Sequence, residues 1–374
     1  MHYDAIVIGT GGVGSAALYH LARAGAKVIG LDRFPPGHDQ GSSHGQTRII
    51  RQAYHEHPNY VPLLLRAYEL WHELEAEAQQ QLYHQTGILF SGPPEGEVIR
   101  GVLRAATEHN LKVDALTVGA ARARWPGFQF RDHFRQVFEE RAGYLLVEDC
   151  VRAHISAAER RGAVMKSGVT VRDWKADGGS VVVRTDNEQF TADRLVVTSG
   201  AWATDLLASL GVPFQVRRKP LFWYRTDDPR YDAAAGFPCF FFESENGQFY
   251  GFPKLDDRGI KSAEHTGGDV VSDPLKVDRS LHLADQQHIE ARLAEFLPGV
   301  SKDCQLHAVC MYTMSPDEHF IVGLHPEHPQ VAFTAGLSGH GFKFTSVLGE
   351  TMAQLALNGK TPHPIEFLSP RRFA

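Results

Sequence analysis

The chain has 374 residues, 43% of them hydrophobic and 22% charged, with a formal net charge of −6; it is long enough for two domains with substantial cores. That charge argues against a nucleic-acid binder, which normally carries a basic patch, and no apolar run approaches the roughly 20 residues that span a bilayer. The four cysteines, Cys150, Cys239, Cys304 and Cys310, lie far apart without Cys-x-x-Cys spacing, which suggests neither a disulfide framework nor a zinc site and fits a reducing cytoplasm.

A strand pattern begins by Tyr3, leaving no room for a signal peptide. Ala5-Ile6-Val7-Ile8 is continuously apolar, as a strand buried on both faces requires. Gly9-Thr10-Gly11-Gly12-Val13-Gly14 follows with G-x-G-x-x-G spacing. Gly9 permits the tight turn, Gly11 lets the backbone approach a pyrophosphate, and Gly14 lets helix and strand pack closely. The helix predicted from about Val13 to Ala24 points its positive end at the phosphates. Gly25 stops it, and Lys27 to Leu31 form the next strand. Asp32 lies 18 residues beyond Gly14 (32 − 14), where a carboxylate accepts a ribose hydroxyl and disfavours the 2′-phosphate of NADP. Strand, loop, helix, strand and acid in this order define a dinucleotide-binding unit, without separating NAD from FAD.

Further along, an amphipathic helix is predicted from about Val61 to Gln81, with Leu63, Leu64, Tyr68, Leu70, Trp71 and Leu74 on its apolar side. From Tyr144 the pattern is strand, helix (about Cys150 to Arg160) and strand (about Val169 to Trp174). Val181-Val182-Val183 and the run Arg194 to Trp202 follow; the latter reaches small residues around Gly200, as a strand approaching a nucleotide does. Between Val216 and Cys310, short aromatic-rich patterns such as Leu221-Phe222-Trp223-Tyr224 and Phe240-Phe241-Phe242 predict a largely antiparallel sheet. The chain returns to a strand (Val331 to Thr334), a glycine turn and a helix (about Phe344 to Leu357). The expected fold class is α/β (α+β). A discontinuous Rossmann-type domain comprises 1–85, 145–215 and 315–374, and a substrate domain comprises 86–144 and 216–314.

Cys310 lies in Ala-Val-Cys-Met-Tyr-Thr-Met-Ser-Pro-Asp-Glu-His-Phe (Ala308 to Phe320). Its thiol could bond to a flavin held by the glycine loop, or serve as a small buried hydrophobe. The pairs His55 and His57, and His325 and His328, lack cysteines or a carboxylate cluster at ligand spacing, so no metal is expected. No Gly-x-Ser-x-Gly elbow follows a strand, which leaves a nucleophilic triad unsupported.

Five separated motifs carry a resemblance over nearly the whole chain: Gly-Ser-Ser-His-Gly-Gln-Thr-Arg-Ile-Ile-Arg (Gly41 to Arg51), Tyr-Val-Pro-Leu (Tyr60 to Leu63), Tyr-Gly-Phe-Pro (Tyr250 to Pro253), the Cys310 segment, and Ser-Gly-His-Gly-Phe-Lys-Phe (Ser338 to Phe344). They resemble the monomeric sarcosine oxidase family, which includes N-methyl-tryptophan oxidase and other secondary-amine oxidases. The resemblance implies FAD bound covalently through its 8α-methyl carbon to the sulfur of Cys310. It also implies oxidation of the C–N bond of a small N-methyl amino acid by O2, yielding amino acid, formaldehyde and hydrogen peroxide. By similarity, Arg51 and Lys343 hold the substrate carboxylate, Tyr250 and His265 face its amine, Arg48 faces the flavin, and Lys261 supports oxygen activation. His44, Thr47, Val169, Gly200, Gly339 and Gly341 join Gly9, Gly11, Gly14 and Asp32 at the cofactor. A monomeric cytoplasmic enzyme follows, with neither nucleic acid nor membrane as partner.

Gln46 departs from the family, which commonly carries an acid there, so any charge that acid supplies is in doubt. His325-Pro326-Glu327-His328 looks closer to sarcosine oxidases, whereas Thr266-Gly267-Gly268 and Ser315-Pro316-Asp317 lean towards N-methyl-tryptophan oxidases. Substrate size therefore stays open, with a bulkier or cyclic secondary amino acid such as N-methyl-tryptophan or pipecolate as the nearest alternative. A NAD-dependent dehydrogenase and a flavin subunit that passes electrons to a partner are the rivals of other classes.

Overall fold

The structure is a computed structural model that describes residues 2–373. The first apolar run is the strand His2–Ile8, buried except at its start. It pairs in parallel with Val28–Leu31 on one side and Gln189–Val197 on the other. Val164–Lys166 and Val331–Ala335 extend this parallel core, while Val171–Asp177, Ser180–Thr185 and Ile321–Leu324 pair antiparallel at its margins. Parallel strands must be covered on both faces. Helices Gly12–Arg23, Val61–Ala78, Val147–Arg160 and Thr345–Asn358 provide one cover, through Val13, Ala17, Leu18, Leu64, Trp71, Val347 and Leu348. Gly349 lets Gly12–Arg23 and Thr345–Asn358 touch, since a Cβ there would lie 2.4 Å from that of Ala16.

A second sheet of nine strands runs from Val270–Val271 to Asp114–Leu116. Its pairings are antiparallel except between Cys239–Ser244 and Ile88–Gly92, as the aromatic-rich pattern predicts. Phe128, Phe222, Phe240, Phe242, Phe249 and Phe296 fill the core beneath one face. Its longest strands, Gln215–Tyr224 and Cys304–Met314, place Lys219 opposite Cys310. A small third sheet joins Thr47–Ile50, Gly143–Leu146 and Tyr83–Gln85. Among the described residues no helix is long and apolar enough to cross a membrane.

Several boundaries differ from the sequence expectation for identifiable reasons. The helix from Val61 ends at Ala78, because Gln79 adopts a left-handed conformation (φ 52°). The helix expected from Cys150 begins at Val147, with Glu148 and Asp149 in its first turn, where acids favour the positive end. The run Arg194 to Trp202 is a strand only to Val197; Gly200–Trp202 then form a 3-10 turn with Gly200 at φ +55°. The strand expected from Val169 starts at Val171, and the Val169 N–H instead donates to Asp32 O. The helix expected from Phe344 is Thr345–Asn358. Helices Glu97–Glu108 and Leu283–Phe296 were not anticipated.

Candidate active site

The glycine loop behaves as its spacing requires. A Cβ on Gly14 would lie 1.8 Å from Gly9 O, so only glycine lets the helix close onto the turn. Thr198 Oγ1 donates to Gly9 O at 2.7 Å and ties the loop to the neighbouring strand. Gly12 N donates to Ser43 Oγ. Asp32 accepts from Thr10 N at 2.6 Å and from Phe34 N at 2.9 Å, so it is oriented before any ribose arrives.

A cavity of about 330 Å³ is lined by this loop and by residues of both large sheets. Gly9, Gly11, Asp32, Val169 and Gly200 line it together with Arg48, Cys310, Gly339 and Gly341 and with Arg51, Tyr250, His265 and Lys343. Of the expected site residues, Gly14, His44, Thr47 and Lys261 lie just behind this wall. Gly339 (φ +82°) is needed where the chain crosses the Tyr312 ring, which a Cβ would meet at 2.2 Å.

The fit to a dinucleotide is legible in unsatisfied atoms. Among the described residues, Arg33 Nη1, Ser199 Oγ, Trp202 Nε1, Thr313 Oγ1 and Thr345 Oγ1 are buried without a hydrogen-bond partner, and all five residues line the cavity. Buried polar groups are normally paired, so this concentration indicates a polar occupant along its length.

At the wall of the cavity, Arg48 Nη2 approaches Cys310 Sγ at 3.1 Å. The same nitrogen donates to Ser42 O, and Nη1 donates to Thr47 O. Burial alone would raise the Cys310 thiol, but the Arg48 guanidinium and His44 overcome it and bring the group down to about 6. The other cysteines behave oppositely: burial pushes Cys239 up to about 12 and Cys150 well above the ordinary value. Cys310 alone is set up to be a nucleophile, because the thiolate is the reactive form.

Charged side chains line the cavity as well. Arg51 is buried, and its Nη2 contacts both Glu56 carboxylate oxygens, at 2.8 and 2.9 Å. Nη1 faces His55 Nδ1 at 2.9 Å. Burial opposes the Glu56 charge, but Arg51 holds this carboxylate well below its usual range. Lys343 Nζ donates to His340 O at 2.7 Å, and burial, then Arg51, lower it to about 7. The same cavity is lined by groups that burial keeps neutral: Tyr250 and Tyr312 are raised, and His265 falls well below the usual imidazole value. Phe241 stacks on Tyr250 and meets His265 edge-on.

Lys261 is 2% exposed. Its Nζ donates to Gly45 O, Thr47 O and Thr47 Oγ1 at 2.5, 2.8 and 3.2 Å. It therefore supports the Gly45–Arg48 segment from behind, and burial, then Arg48, push it well below the usual lysine value. Gln46 finds a specific use: its amide accepts from Trp223 Nε1 at 3.0 Å and donates to Asp256 Oδ2 at 2.9 Å, a pair of roles that a carboxylate cannot fill.

Tyr312 and Glu56 are cavity residues that the sequence reading did not select. Tyr312 is two residues beyond Cys310 on one strand, so period-two alternation places it on the same face. Glu56 has no comparable signal, because its pairing with Arg51 depends on the turn after Ile50. His325, Glu327 and His328 offer ligand atoms within 4.8 Å of one another. Yet the two rings are stacked at 4.8 Å, which sets their in-plane lone pairs side by side rather than at a common point, and both nitrogens of His325 already have partners in Ser209 and Glu327 N.

A dinucleotide cradle joined to an aromatic, cation-lined chamber fits a dinucleotide-dependent oxidoreductase, and the sequence profile of FAD dependent oxidoreductases (DAO) matches residues 4–355. A monomeric sarcosine oxidase of Bacillus sp. (strain B-0618) is 43% identical over 376 residues, spanning 99% of this chain and 96% of that protein. An N-methyl-L-tryptophan oxidase of Yersinia pestis (strain Pestoides F) is 38% identical over the full length of both. The chain therefore belongs to the FAD-dependent oxidoreductase family, among the amine oxidases these relatives represent, and its cofactor is FAD. The fold is shared with NikD, an unusual amino acid oxidase essential for nikkomycin biosynthesis (TM-score 0.86, 24% identity, 99% and 97% of the two chains), and with L-proline dehydrogenase from P. horikoshii (TM-score 0.85, 21% identity, 99% and 97%).

Proposed function

We propose that the protein oxidises N-methyl amino acids, with sarcosine as the first substrate to test, and that its FAD is tethered through Cys310. The observation that carries this reading is the gathering around one cavity of the cationic side chains Arg51 and Lys343 with the neutral Tyr250, His265 and Tyr312. Arg51 and Lys343 suit a carboxylate, since guanidinium and ammonium give charge-assisted hydrogen bonds. Tyr250, His265 and Tyr312 suit an amine without its proton, because neutral hydrogen-bonding groups beside Arg48, Arg51 and Lys343 disfavour an ammonium. When bound, FAD would supply the redox chemistry, accepting the two electrons and a proton released as the N-methyl C–N single bond becomes an imine, with O2 as the final acceptor reduced to peroxide. The protein orients the substrate, keeps its nitrogen unprotonated and excludes water from the reacting face. Arg48 favours Cys310 as the thiolate that covalent attachment requires, and Lys261 is given the oxygen half-reaction by its resemblance to the family's lysine.

The strands of the two large sheets support the division into 1–85, 145–215 and 315–374 for cofactor and 86–144 and 216–314 for substrate; only Gln215 of the second sheet falls outside it. Four free thiols suit a reducing cytoplasm, and we take the enzyme to act as a monomer. The test is a panel of N-methyl and cyclic amino acids, with their esters and parent amines, assayed for peroxide. Oxidation restricted to free-carboxylate N-methyl compounds is the expected result. Equal turnover of amines lacking the carboxylate would refute the assignment of Arg51 and Lys343. Acid-precipitated protein should remain yellow in the wild type and not in Cys310→Ser.

A further inference from the structure

Lys219 is 2% exposed and lies in the strand Gln215–Tyr224, directly across from Cys310. Directly opposed residues of an antiparallel pair project from the same face, so its side chain shares the face of Cys310 and Tyr312. It forms no salt bridge among the described residues. Instead Nζ donates to three successive carbonyls, His265 O at 3.1 Å, Thr266 O at 2.7 Å and Gly267 O at 3.3 Å, and lies 5.0 Å from the centre of the Tyr312 ring. An ammonium has three donors, and here one turn takes them all. Local sequence makes this convergence possible: Gly267 and Gly268 adopt φ of +65° and +105°, and a Cβ at Gly268 would lie 2.6 Å from Arg218 O. A buried cation without a counter-ion is costly, and an apolar side chain of equal length would fill the space without that cost. One charge thus braces both the turn that carries His265 and the face of Tyr312, two walls of the chamber contributed by different strands.

We propose that Lys219 is a positioning residue for amine oxidation: its ammonium fixes the His265–Gly267 turn against Tyr312 so that both side chains meet the substrate nitrogen. This rests on the amine-oxidase reading above. The decisive variant is Lys219→Met, examined alone and combined with His265→Ala. Amides of the 264–268 turn should exchange hydrogen faster in Lys219→Met. The limiting rate of flavin reduction by an N-methyl amino acid should fall about tenfold to a hundredfold, as loss of a reactive alignment does. Acetate, which tests only Arg51 and Lys343, should bind as in the wild type, and the double variant should lose less than the product of the two single losses, because part of the Lys219 effect acts through His265. Unchanged exchange with an unchanged reduction rate would overturn the proposal, as would losses that multiply in the double variant. If Lys219→Met does not accumulate as folded protein, Lys219→Gln, with a neutral head that reaches fewer carbonyls, should show the same effects at smaller size, and wild-type behaviour would be equally fatal. A wild-type enzyme that no N-methyl amino acid reduces would sink the functional reading, while the exchange experiment would still decide whether Lys219 holds the turn.

Discussion

Replacing Arg48 by alanine tests the chemical poise of Cys310 directly. The guanidinium nitrogen lies 3.1 Å from Sγ, and the thiol sits at about 6 rather than the ordinary 9.0 although burial opposes its ionisation. That difference favours the thiolate by up to about 4 kcal/mol. At neutral pH it is the difference between about nine thiolates in ten and about one in a hundred. Without Arg48 the burial remains, opposed by His44 and the Met311 backbone, so the thiol should rise towards its ordinary value. Ultraviolet thiolate absorbance of the flavin-free protein, taken as the difference from Cys310→Ala, reports the titration. The wild type should titrate near 6 and Arg48→Ala above neutrality, with covalent FAD incorporation slowed about tenfold to a hundredfold. The pH dependence has a defined sign. A depressed acid stabilises the fold above its unfolded value, and that stability is lost as pH falls from about 9 through about 6. A midpoint that does not move in Arg48→Ala would refute the electrostatic account, even if incorporation were slowed for another reason.

Glu56→Gln should free the Arg51 fork and tighten acetate binding, followed through flavin absorbance, whereas Arg51→Ala should destabilise the fold by about 3–5 kcal/mol by stranding a buried carboxylate; unchanged acetate affinity in Glu56→Gln would show that the fork is not the carboxylate site. Lys261→Met should slow reoxidation by oxygen about a hundredfold and flavin reduction far less, and equal losses by stopped flow would remove the lysine from the oxygen half-reaction. His20 and His154 are buried, with His20 Nε2 and His154 Nδ1 unpartnered, and burial lowers them to about 4 and about 3. Below 6.5 the unfolded chain binds protons that the native state does not, so the melting temperature should fall as pH drops from 6.5 towards 4. His154→Phe, between Tyr19 and Trp71, should weaken that dependence, and an unaltered profile would count against these histidines as its source.

The nucleotide unit was readable because its signals are contiguous: apolar run, three spaced glycines, helix and acid fall within the first 32 residues, and each acts on its immediate neighbours. Cys310, Arg48, Arg51 and Lys343 were selected by motif, and the cavity gathers all four. What escaped depended on partners distant in sequence. Glu97–Glu108 has helical spacing in Val98, Ile99, Val102 and Ala105, but its N-terminus is capped by Glu243 from a remote strand, where no local capping residue announces it. The use of Gln46 could not be inferred without Trp223 and Asp256. Lys219 looks like any lysine in an edge pattern until the register sets it opposite Cys310.

The tetrapeptide Gly45–Arg48 lies at a crossing: Glu148 receives the N–H groups of Gly45 and Gln46, Lys261 holds the carbonyls of Gly45 and Thr47, and Arg48 reaches Cys310. Any substitution that bends these four residues will be felt at Cys310 and at Lys261 together. Variation that adapts one of them to a new task must pass through, or be compensated at, the other. In directed evolution of this scaffold, beneficial changes near Cys310 should come paired with changes near Lys261, and libraries that randomise either alone should be poor in improved clones.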